Sequence, residues 1–119
     1  MASFESANLS HQLSGGFVVF KVDAKIRFEP HELGHQWLFQ IELMEEDVVS
    51  DDKLYVKRHY FVPSEGEVDF SISEEVAKHK VDTEWGKEEV YANLQAIPLK
   101  NPPGFVAGQT RTNTTIVDV

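Results

Sequence analysis

Residues 17–43 read FVVFKVDAKIRFEPHELGHQWLFQIEL, two runs of alternating apolar and polar residues on either side of a short connector. In the first run Val18, Phe20, Val22, Ala24, Ile26 and Phe28 fall on one side of an extended chain, while Lys21, Asp23, Lys25 and Arg27 fall on the other and only Val19 is out of place. A helix would scatter the six apolar residues around its circumference, so the run reads as a strand. In the second run Trp37, Phe39, Ile41 and Leu43 alternate with Gln36, Gln40 and Glu42. Leu33, Trp37, Ile41, Met44 and Val48 also make a stripe at helical spacing, but a helix would leave Phe39 and Leu43 in water. The strand reading exposes fewer large apolar side chains. Paired antiparallel, the two runs would set Lys25 and Arg27 against Glu42 and Gln40, and each complementary pair would contribute roughly 0.2–1 kcal/mol. At ~3.3 Å per residue the first run reaches roughly 40 Å, which predicts that it bends or serves two sheets.

Outward from this stretch the same alternation recurs. Leu54 to Val62 predicts a third strand with Leu54, Val56, Tyr60 and Val62 on one side, interrupted by Arg58. Pro63 to Gly66 has turn composition, and Val68, Phe70 and Ile72 alternate after it. Ser71-Ile72-Ser73-Glu74 has capping-box spacing and predicts one or two helical turns over Glu74 to His79. Trp85-Gly86 marks a corner, Val90, Ala92, Leu94 and Ala96 alternate in a late strand, and Thr110 to Val119 predicts a closing one. Asn101-Pro102-Pro103-Gly104 is excluded from a sheet, because proline nitrogens donate nothing to a ladder. Residues 1–16 are small and polar and read as an N-terminal arm or edge strand; residues 17–119 read as one domain. These signals predict an all-β fold, an antiparallel two-sheet sandwich of about seven or eight strands with at most one short helix, either immunoglobulin-like or C2-like. A closed barrel is the structural alternative.

The chain of 119 residues lacks cysteine, which removes disulfides, thiol nucleophiles and thiolate metal sites. Eleven Lys and Arg against twenty Asp and Glu give a formal charge of −9, which argues against partners bound by neutralising phosphates, so neither nucleic acid nor an anionic membrane is expected. No apolar stretch approaches the ~20 residues of a membrane span, and Met1 to Gly16 lacks the pattern of a secretory signal, so a cytoplasmic protein is expected.

The connector spells His31-Glu32-Leu33-Gly34-His35, which resembles the motif of zincin metallopeptidases. That resemblance implies His31 and His35 as zinc ligands one helical turn apart and Glu32 as the general base on metal-bound water. The longer metzincin form is not met, since Leu38 and Ile41 stand where its glycine and third histidine belong. Glu45, Glu46, Asp47, Asp51 and Asp52 bracket a turn, and this loosely resembles the loops of C2-type domains; calcium held by Asp47, Asp51 and Asp52 is the expectation it implies. Trp85, Tyr91 and Asn93 are the candidate binding residues for a protein or a carbohydrate. The leading expectation is a non-catalytic binding domain without a cofactor, working on a protein partner or on further copies of itself through strand edges. The first alternative is a small zinc peptidase built on His31, Glu32 and His35, and the second is a calcium-binding C2-like module.

Overall fold

The computed structural model describes residues 1–47, 49–81, 87–100 and 104–118. Among the described residues eight strands follow in order: β1 (Ser3–Ser14), β2 (Phe17–Arg27), β3 (Trp37–Glu45), β4 (Asp52–Phe61), β5 (Glu67–Ala77), β6 (Glu88–Pro98), β7 (Gly108–Arg111) and β8 (Thr115–Val117). They form two antiparallel sheets packed face to face. One has the order β1-β2-β5, and the other has the order β4-β3-β6-β7 with β8 also on β6.

Alternation explains the packing. Val18, Phe20, Val22, Ala24 and Ile26 of β2 face Trp37, Phe39, Ile41 and Leu43 of β3 and Val90, Ala92, Leu94 and Ala96 of β6, and all are buried in one core. Facing sheets bury the inner side of every strand and leave the outer side to water or a partner. Aromatic rings bridge the layers: Phe39 of one sheet lies 4.6 Å from Phe70 and 6.1 Å from Phe4 of the other.

Several expectations are corrected. The two opening runs do not pair, because β2 lies between β1 and β5 while β3 lies between β4 and β6. Lys25 therefore meets Glu67, and Arg27 meets Glu5 and Glu67, whereas Gln40 and Glu42 are served by Arg58 and Lys53. The first run stays within one sheet along its whole length. Of the two readings of residues 1–16, arm or edge strand, the structure has the edge strand, over Ser3–Ser14. The capping-box helix is absent: β5 runs on through Ala77, and the helix α1 is the single turn Lys78–Val81. Glu74 is an inward-facing strand residue, opposite Phe20 on β2, and its carboxylate meets Lys57 of β4 at 3.0 Å and the Tyr55 hydroxyl.

On β4 the register with β3 places Tyr55, Lys57, His59 and Phe61 on the inner side and Val56, Arg58 and Tyr60 on the outer. The side expected to gather Leu54, Val56, Tyr60 and Val62 is thus the outer one. A bulge opposite Leu43 and Met44 exempts Leu54, which packs against the core together with Tyr55.

The two lateral openings of the sandwich differ. At one, β1 runs beside β7 and β8, and the Asn113 amide accepts the Leu9 N–H at 2.8 Å and donates to the Leu9 carbonyl at 2.9 Å. A single side chain thereby imitates a neighbouring strand. Ala2 is fully buried against Gly108, where an added Cβ would overlap the Ala2 carbonyl, so close backbone approach requires glycine there. At the other opening, Lys57 and Glu74 point inward from the edges β4 and β5, a charged guard of the kind that discourages edge-to-edge pairing.

Candidate functional site

The connector between β2 and β3 folds as one 3-10 turn over Pro30–Glu32. Proline at the start suits a helical first position, but Leu33 is extended and Gly34 adopts φ 78°, which turns the chain toward β3. His31 and His35 consequently share no helix face. Both pack edge-on against Phe105, at 5.5 and 4.9 Å between ring centroids, and Phe105 stacks on Trp37 at 5.9 Å.

Glu32 is fully buried. Its Oε1 accepts the Glu29 N–H at 2.8 Å, closing a capping box, and its backbone carbonyl accepts the Trp37 indole N–H at 3.3 Å. The Met1 ammonium lies 2.6 Å from Glu29 Oε2 and 3.2 Å from Glu32 Oε2. The hydrogen bond to Glu29 is the main cause that holds this ammonium above its ordinary pKa, and the same contact holds the Glu29 carboxyl below its own. The residue offered by the peptidase motif as a base is thus occupied in holding a turn and balancing a cation.

In the turn after β3, Asp51 is used locally. Its carboxylate accepts the Tyr91 hydroxyl and, at 3.3 Å, the Asp47 N–H. Asp52 opens β4, in register with Glu45. Among the described residues, Asp47, Asp51 and Asp52 do not bring their oxygens into one group of the size a metal ion needs. Glu89 does approach this end of the sandwich: its backbone carbonyl accepts the Glu46 N–H at 2.8 Å, and the neighbouring Glu46 carboxylate raises the Glu89 carboxyl above its ordinary value.

The Tyr91 hydroxyl holds Asp51 below the usual carboxylate range, while burial, then Asp51, raises the Tyr91 phenol. A depressed carboxyl stabilises the fold above its unfolded value and loses that contribution as pH falls; a raised phenol stabilises below its unfolded value and loses it as pH rises. Tyr91→Phe should return Asp51 toward the usual carboxylate range, read as an upward shift in the NMR titration of the Asp51 carboxyl carbon. An unmoved titration would show that the hydroxyl is not its partner.

The outer face of the five-stranded sheet gathers the remaining candidates. Register sets Arg58, Gln40, Gln95 and Gln109 side by side across four strands, with Val56, Glu42, Asn93 and Arg111 in the next row and Tyr60, Leu38 and Ile97 in the row beyond the amides. Arg58 Nε donates to Gln40 Oε1 at 3.2 Å, and the Gln40 amide donates to Glu42 at 3.0 Å and to Gln95 at 3.4 Å. Asn93 and Gln109 line a shallow depression of about 440 Å³ with Glu42, Gln95 and Arg111. The Arg111 guanidinium covers the Tyr91 ring at 3.4 Å from its centroid and pairs with Glu46. A sugar therefore cannot stack on that side of Tyr91.

Of the candidate binding residues, Tyr91 and Asn93 come together on this face, and Trp85 lies outside the described residues. Gln40, Arg58, Gln109 and Arg111 were missed, because alternation fixes the side of a strand but not which strands are neighbours. Among the described residues no helix is long and apolar enough to cross a membrane. No protein-family model, curated protein or solved structure matches this chain.

Proposed function

We propose that this protein is a non-catalytic binding domain that engages a protein partner through the outer face of its five-stranded sheet. The contrast between its two outer faces supports the reading. The three-stranded sheet presents rows such as Ser6, Lys25 and Asp69 or Asn8, Asp23 and Ser71, the short polar and charged residues of a solvated surface. The five-stranded sheet presents Tyr60, Ile97, an amide row and two arginines, with Glu42 the one acid in the three rows described above, on a chain whose formal charge is −9. Tyrosine and arginine enrichment with few lysines and acids is the composition of protein interfaces, and Tyr60 is 54% exposed. Asn93 and Gln109 make no side-chain hydrogen bond among the described residues, so their amides are available to a partner's backbone.

A photo-crosslinking amino acid placed at Gln95 or Gln109, and at Ser71 as the control on the opposite face, tests this in the cells that make the protein. Adducts of defined mass from Gln95 and Gln109 alone are expected. An adduct at twice 13.5 kDa identifies the partner as a second copy of the chain. Equal labelling from Ser71, or no adduct from either face, would overturn the reading.

A further inference from the structure

The turn at Glu29 to Glu32 is not used by the binding face, yet it gathers donors. Glu29, His31 and Glu32 each offer a ligand atom, and the three atoms lie within 4.8 Å of one another. His31 Nε2 is 3.8 Å from Glu29 Oε2. We propose that these three side chains bind a divalent transition metal, with copper(II) held most tightly.

Three observations carry the assignment. The first is preorganisation. Glu32 is fully buried and its Oε1 is fixed by the Glu29 N–H, while the His31 ring is held edge-on to Phe105, so the donors are positioned before an ion arrives. The second is a buried acceptor: Glu32 Oε2, inside the protein, is met by the Met1 ammonium at 3.2 Å and by no other donor among the described residues. The third is that the notch already attracts positive charge, since the Met1 ammonium stands before both carboxylates at 2.6 and 3.2 Å. A dication held by three side chains would compete for that place.

The donor set narrows the ion. Calcium and magnesium take oxygen shells, whereas one imidazole with two carboxylates suits zinc or copper, and copper(II) stands highest in the divalent affinity order. His31 needs only to exchange a 3.4 Å contact with the Gly104 carbonyl for the metal. His35 contributes nothing in this arrangement, which separates the site from the peptidase pair.

Calorimetric titration of the purified chain with Cu²⁺ and with Zn²⁺ tests the site, alongside electron paramagnetic resonance of the copper form. One equivalent of copper is expected, with a nitrogen hyperfine pattern that changes in His31→Ala. Glu29→Gln and His31→Ala, both at half-exposed positions that the fold tolerates, should each weaken copper at least about tenfold. His35→Ala and Asp51→Asn should leave it unchanged. Absence of stoichiometric copper in the unaltered chain, or equal weakening by His35→Ala or Asp51→Asn, would overturn the site.

Discussion

Glu32→Ala should lower the unfolding free energy by about 2–4 kcal/mol, and Glu32→Gln by about 1 kcal/mol or less. The carboxylate is fully buried, accepts the Glu29 N–H and faces the Met1 ammonium. Alanine removes the acceptor, leaves a void beside the turn and strips a counter-charge from the ammonium. Met1 is 57% exposed, so water replaces part of what its ammonium loses and the upper end of the range for buried pairs is not reached. Glutamine keeps an oxygen for the Glu29 N–H and loses only the charge. Urea unfolding at neutral pH separates this role from catalysis. A general base could be exchanged for alanine with stability unchanged or improved, and that result would make the structural role of Glu32 untenable.

Phe39→Ala should cost about 3–5 kcal/mol, a large part of the roughly 5–15 kcal/mol available to a domain of this size. Phe39 is fully buried on an interior strand of its sheet, and its ring contacts Phe70 and Phe4 from the opposite sheet. Removing it takes away the transfer free energy of the ring and opens a cavity at the joint between the layers. Tyr60→Ala, by contrast, alters an exposed ring on the outer side of β4 and should cost less than about 1 kcal/mol. The two substitutions together test the inside and outside of adjacent strands. Similar losses for both would mean that the face now called outer is buried.

Strand alternation made much of this fold legible. The positions of β2, β3 and β6 that alternate in the sequence are the ones buried in the core, because burial of one face imposes a period of two. Neighbour relations were not legible, since the same alternation suits any partner, and β2 and β3 proved to lie in different sheets. β1 was legible only as an arm or an edge strand, because its inward set of Phe4, Ala7, Leu9 and His11 mixes large apolar, small and polar residues and is broken by a register shift between Phe4 and Ser6. The capping-box spacing at Ser71 to Glu74 misled for a different reason: Glu74 is polar to meet Lys57 and Tyr55 at an open edge, and tertiary contact overrode the local signal.

The site was legible in the same uneven way. Tyr91 and Asn93 share a strand face, which sequence could see, while Gln40, Gln109 and Arg111 join them only through strand order. Around the pentapeptide, the familiar spacing directed attention to His35, whereas the donor that approaches His31 is Glu29, on the far side of Pro30.

Backbone chemical shifts of residues 29–45, measured by NMR on the isolated chain, test most directly whether this connector is a turn into a strand rather than a catalytic helix. Extended shifts from Trp37 through Glu45, a single turn over Pro30–Glu32 and a positive φ at Gly34 are expected. Continuous helical shifts from Pro30 through Ile41 would contradict this, and would return His31 and His35 to one face.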